Sequence, residues 1–141
     1  MPISGGASSS SSKVRTAAEV AIGRAVSGSR TLQSSGAKVD DVIADPRHGL
    51  ATVTFSLPAG VPMGRDLILR NAAEAARAAF AANSEVKFVT ARCLMGSGSS
   101  AQIVFVGDAG RAAAETLGDA PTLEQLRSVF TNPWWNPQVS D

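Results

Sequence analysis

Three features of the sequence predict an α+β fold, a mostly antiparallel four-stranded sheet with helices packed on one face. Residues 49–57, Gly-Leu-Ala-Thr-Val-Thr-Phe-Ser-Leu, alternate cleanly: Ala51, Val53, Phe55 and Leu57 fall on one side, Thr52, Thr54 and Ser56 on the other. That is the period of an antiparallel strand with one face on a core and one toward water. The alanine-rich stretch Arg65 to Ala82 separates charged from small apolar residues at helical spacing. Strand-like and helix-like stretches succeed one another as α-β-β-α-β-β-α-α, an order that layers helices over one antiparallel sheet.

Residues 4–12, Ser-Gly-Gly-Ala followed by serines, bury nothing, and residues 1–12 read as a flexible Gly/Ser tether. A single α+β domain is expected over residues 13–131. It opens with a helix from Lys13 to Val26, because Val14, Ala17, Ala18, Ala21, Ile22 and Ala25 recur at three- and four-residue spacing. Ser27-Gly28 stops that helix, and Gln33-Ser-Ser-Gly36 continues as loop. Val39 to Ala44 is a short strand. Asp45-Pro-Arg-His-Gly49 is a turn in which Pro sets φ early and Gly permits positive φ at the end, so residues 39–57 form a hairpin.

In the central helix, Asp66, Arg70, Glu74 and Arg77 form one charged stripe. Leu69, Ala72, Ala73, Ala76, Ala79 and Phe80 lie opposite it. Strands follow at Val86 to Met95 and Ala101 to Val106, joined by Gly96-Ser-Gly-Ser-Ser100. Gly107-Asp108 reads as the cap of a helix from Ala109 to Leu117, ended by Gly118. Thr122-Leu-Glu-Gln125 is a capping-box pattern that starts a last helix reaching about Phe130. Residues 132–141 read as a C-terminal tail, turn-rich because Asn-Pro occurs on both sides of two tryptophans.

A chain of 141 residues, 44% apolar, holds a real core without disulfides or a metal, although that core is rich in alanine and poor in aromatics. Thirteen basic against twelve acidic residues give a net charge of +1, too weak a field to favour nucleic acid or an acidic membrane. Cys93 is the single cysteine, so neither an intrachain disulfide nor a CxxC metal site can form. Its strand position reads as a small buried apolar residue. No apolar run approaches the ~18–20 residues of a membrane span. Met1-Pro-Ile-Ser shows no signal-peptide pattern, and an anchor upstream of the tether remains compatible with its Gly/Ser composition.

Candidate chemistry is thin. His48 and Asp45, with any of the serines, draw a nucleophilic triad on paper, without the strand–turn context of a nucleophile elbow. Asp40, Asp41 and Asp45 offer oxygen ligands for a hard cation, at spacings unlike a calcium loop. Gly96 to Ser100 lacks the Lys and the helix start of a phosphate cradle. Residues 107–111, ending in Arg111, offer a strand-to-helix loop with backbone amides. No catalytic, cofactor or metal residues are therefore assigned. Trp134 and Trp135 are assigned to partner binding, since adjacent residues of an extended segment point to opposite sides and an exposed Trp is a frequent hot spot.

The expected function is a non-catalytic protein-interaction or assembly module, the soluble part of an anchored or exported bacterial-type protein. It would engage a protein partner or a second copy of itself. An extracytoplasmic or membrane-tethered placement is preferred to a cytoplasmic one. The alternative is a small ligand- or nucleotide-binding domain or enzyme using the 107–111 loop with His48 or the aspartates.

Overall fold

The computed structural model describes residues 15–59, 64–96 and 98–139. The tether expected at residues 1–12, and Ser97 of the glycine–serine loop, lie outside the described residues. Thr16 opens helix α1 (Ala17–Ser27) with a capping box: its hydroxyl accepts from the Glu19 amide at 3.1 Å, and the Glu19 carboxylate accepts from the Thr16 amide at 3.0 Å. A second helix, α2 (Arg30–Ser34), forms where loop was expected. Ser29 caps it, and Leu32 anchors it in the core. One turn and a half is too short to show a period, which is why the sequence pattern missed it.

Strands β1 (Lys38–Asp45) and β2 (Leu50–Leu57) pair antiparallel around a 3-10 turn at Pro46–His48. Gly49 closes the turn at φ 72°, the left-handed conformation that called for glycine there. Helix α3 (Arg65–Ala82) then carries the chain across, so that β3 (Phe88–Met95) lies parallel to β2. A parallel neighbour requires such a crossover. Strand β4 (Gln102–Gly110) returns antiparallel to β3.

The anticipated core face of α3 is buried from Leu69 to Phe80, and Ile68, Asn71 and Ala75 join it. Asn71 is the polar exception. Its amide donates to Ser35 Oγ at 3.1 Å and to the Leu67 carbonyl at 2.9 Å, tying α3 to the end of α2. The helices α4 (Arg111–Glu115) and α5 (Leu123–Val129) complete the layer, and α3 touches α1, α2, α4 and α5. Thr122 and Gln125 make the expected capping box at the start of α5, at 3.2 and 2.8 Å.

Two expectations need correction. Strand β4 does not end at Val106. It runs to Gly110, and α4 begins only at Arg111, with no side-chain cap. Asp108 is a strand residue that accepts the Thr90 hydroxyl at 2.6 Å. Gly107 is glycine because of packing: a Cβ there would lie 2.7 Å from Phe105 Cζ and 3.0 Å from Phe130 Cδ1.

The tail is the second correction. Residues Phe130–Trp135 form a fifth strand, β5, antiparallel to β4, and the sheet order is β1-β2-β3-β4-β5. The Asn-Pro pair is accommodated rather than excluded. Asn132 takes φ 51° and the register shifts opposite Gly107, a bulge that absorbs the pair on an edge strand, where proline removes no needed ladder donor. Asn136 continues the attachment, its amide donating to the Val104 carbonyl at 3.0 Å and its side chain to the Ile103 carbonyl at 3.1 Å.

Candidate interaction face

The helices and the core occupy one side of the sheet, where Val53, Phe55, Val89, Cys93 and Phe105 are fully buried. The pairing register fixes what the other side presents. One cross-strand row reads Asp41, Thr54, Arg92, Val106, Trp134; the next reads Ile43, Thr52, Thr90, Asp108, Thr131; a third holds Asp45, Leu50, Phe88 and Gly110. Among the described residues, the exposed large apolar side chains are Val20, Ile43, Leu50, Phe88 and Trp134. Val20 is on α1. The other four, each between 48% and 55% exposed, share the helix-free face. Leu94, Ile103 and Val106 add half-buried apolar surface to it. Phe88 lies beside Gly110, where a Cβ would be 3.6 Å from Phe88 Cε1, an ordinary contact.

Both free edges of this sheet are blunted. At β1, Arg15 donates to the Val42 carbonyl at 2.8 Å, and the buried Glu19 carboxylate accepts the Ala44 amide at 3.0 Å. Two side chains of the α1 segment thus occupy two of the hydrogen-bonding groups that an added strand would use. At β5, the Asn132 bulge and Pro133 break the ladder. Natural sheets blunt their edges in these ways. The surface left for macromolecular contact is the face.

The two tryptophans divide as their adjacency requires. Trp135 turns inward, its ring 4.5 Å from the Phe105 centroid and 4.8 Å from the Arg65 guanidinium. Trp134 turns outward beside Val106.

The other candidates are held apart. His48 is exposed and pairs with Asp45 at 2.7 Å. Asp41 pairs with Arg15 at 2.9 Å, and Asp40 accepts the Ser56 hydroxyl at 3.4 Å. The three aspartates therefore serve three different partners. No group of three or more His, Cys, Asp or Glu side chains converges on a metal position among the described residues. Arg111 is spent on structure: it donates to the carbonyls of Val86 at 2.9 Å, Phe80 at 3.1 Å and Asn83 at 2.6 Å, and pairs with Glu115 at 3.1 Å. One shallow cleft gathers Asp40 and Asp41 with Arg15, and another gathers Gly110 and Arg111 with Phe88; neither includes His48. The Cys93 thiol is pushed up to about 12, first by burial and then by the Asp40 carboxylate, so it is not a nucleophile at neutral pH. No helix among the described residues is long and apolar enough to cross a membrane.

Ile43, Leu50 and Phe88 escaped the sequence reading. Their signal was present: each is a large apolar residue out of phase with an alternating strand, next to the inward Val42, Ala51 and Val89. Comparisons with models of known protein families, with curated proteins and with solved structures found no match.

Proposed function

We propose that the protein is a non-catalytic interaction module whose working surface is the helix-free face of the sheet, and that its occupant is a second copy of the chain. The observation that carries this reading is the clustering of Ile43, Leu50, Phe88 and Trp134 on that face. A sheet face kept for water alone would carry polar residues at these positions. Size and charge support the second copy. Five strands of six to nine residues span about 20 by 26 Å, or about 500 Å² of face, below the ~800 Å² per partner of an ordinary interface and in the range of a weak, reversible one. The face holds both signs of charge, Lys38 and Arg92 against Asp40, Asp41 and Asp108, so it can complement itself about a twofold axis. With both edges blunted, stacking of faces about 10 Å apart is favoured over the addition of strands. The Gly/Ser composition of residues 4–12 supports placement of the module on a tether.

Sedimentation of the full chain over a wide concentration range tests this. A reversible dimer is expected, abolished by Phe88→Glu or Trp134→Glu and kept by Val20→Glu, which charges the exposed apolar residue outside the face. A chain that stays monomeric at every concentration, or a dimer as sensitive to Val20→Glu as to the other two, overturns it.

A further inference from the structure

Arg92 stands on β3, the middle strand, on the helix-free face, with Thr54 and Val106 as its cross-strand neighbours. It is half-buried, and its guanidinium makes no hydrogen bond or ion pair among the described residues. A second copy seated on this face would take the cation out of water. A buried charge is tolerated only where a counter-ion meets it.

The acidic residues of the face decide which group that is. Asp41 is held by Arg15 at 2.9 Å and Asp45 by His48 at 2.7 Å. Asp40 lies out on the edge strand β1, exposed and bonded to the Ser56 hydroxyl. Asp108 differs from all three. It is half-buried on β4, next to the middle strand, and no cation pairs with it among the described residues. The Thr90 hydroxyl donates to its Oδ1 at 2.6 Å, which fixes the carboxylate and leaves Oδ2 to accept. We propose that in the face-to-face dimer Arg92 of one copy pairs with Asp108 of the other, and that this pair sets how the two faces are superposed. The inference rests on the dimer proposed above and names the residues that give it specificity.

Symmetry makes the contact reciprocal. The twofold operation that brings Arg92 onto the second copy's Asp108 brings Asp108 onto the second copy's Arg92, so one contact made twice neutralises both charges. Arg92 opposes Val106 and Thr90 opposes Asp108, which makes Arg92 and Asp108 diagonal neighbours on adjacent strands. The twofold axis then crosses the boundary of β3 and β4, near the middle of the face, where a desolvated arginine counts most. A planar guanidinium matches a carboxylate through two parallel hydrogen bonds. Ile43, Leu50, Phe88 and Trp134 attract without selecting a register; superpositions that leave Arg92 against an apolar side chain are rejected by the charge.

Sedimentation of Arg92→Asp, of Asp108→Arg and of their mixture tests the pairing. Each variant alone sets like charges together twice per dimer and should weaken self-association by about a hundredfold or more. Mixed in equal amounts, the two should form a heterodimer, because each reversed charge then faces its complement and the unchanged pair is kept. An ion pair within one chain would be lost in both variants and could not be restored by mixing them. Thermal melts of the separate variants report folding, and Asp108→Lys repeats the test at that position with a cation of different shape. A wild-type dimer that tolerates either reversal, or a mixture of folded variants that stays monomeric, overturns the pairing and leaves the dimer standing. A wild-type chain that is monomeric at every concentration overturns both.

Discussion

Phe105 receives Phe130 edge-on, with centroids 5.2 Å apart and planes at 82°, and Trp135 at 4.5 Å. Gly107 sits beneath these rings, and its lack of a side chain makes the cluster possible. Gly107→Ala should cost about 1–3 kcal/mol, because its Cβ would lie 2.7 Å from Phe105 Cζ and the rings must shift to admit it. Trp135→Ala should cost about 3 kcal/mol or more, whereas Trp134→Ala should change stability by no more than about 0.5 kcal/mol. Urea denaturation of the three variants checks this ordering. Cys93 gives a pH-dependent test. Its folded value of about 12 stands above the ordinary thiol value of 9.0. The folded chain therefore holds the proton more tightly than the unfolded chain. The stability this contributes is complete below pH 9 and is lost as pH rises toward 12. Iodoacetamide at pH 8 should leave Cys93 unmodified until denaturant is added.

Elements were legible where local chemistry and packing agreed. The α3 span was readable because its alanine face and charged stripe run without conflict from Arg65 to Ala82, and Glu74 and Arg77 do pair, at 2.8 Å. The start of α5 was readable from Thr122 and Gln125 alone, since a capping box is a local signal. Strand β5 was not, because Asn132 and Pro133 speak locally for a turn, and only the neighbouring β4, with Gly107 facing the bulge, makes a strand of them. The Arg111 site was hidden for a similar reason. Helix α3 has no basic residue in its last turn, and Arg111 supplies the missing cation from a distance by donating to the Phe80 and Asn83 carbonyls. Arg111→Ala should cost about 2–3 kcal/mol by leaving those carbonyls unpartnered. Arg111→Lys should restore only part of that, since an ammonium cannot reproduce the fork; thermal melts of the pair decide it. At the other edge, Glu19→Ala should cost about 2 kcal/mol through loss of the cap and of the Ala44 bond.

For the whole molecule, the alternation of residues 49–57 already separated a core face from an outer face. Phe55→Ala should cost about 3–5 kcal/mol, against about 1 kcal/mol for Thr54→Ala, whose side chain is on the helix-free side but covered by its neighbours. Less legible was that the open side is not simply a water face. Ile43, Leu50, Phe88 and Trp134 stand on four different strands, and only the register brings them onto one surface. The interaction reading stands on that surface. The two tryptophans report on the two sides of the sheet separately, and the chain has no others. Fluorotryptophan-labelled protein should give two fluorine resonances, assigned with Trp134→Phe. As the protein is concentrated, the Trp134 signal should shift and lose its sensitivity to a soluble paramagnetic probe, while the Trp135 signal holds still. Two signals indifferent to concentration, or a Trp135 signal that moves while Trp134 does not, would contradict association through the open face.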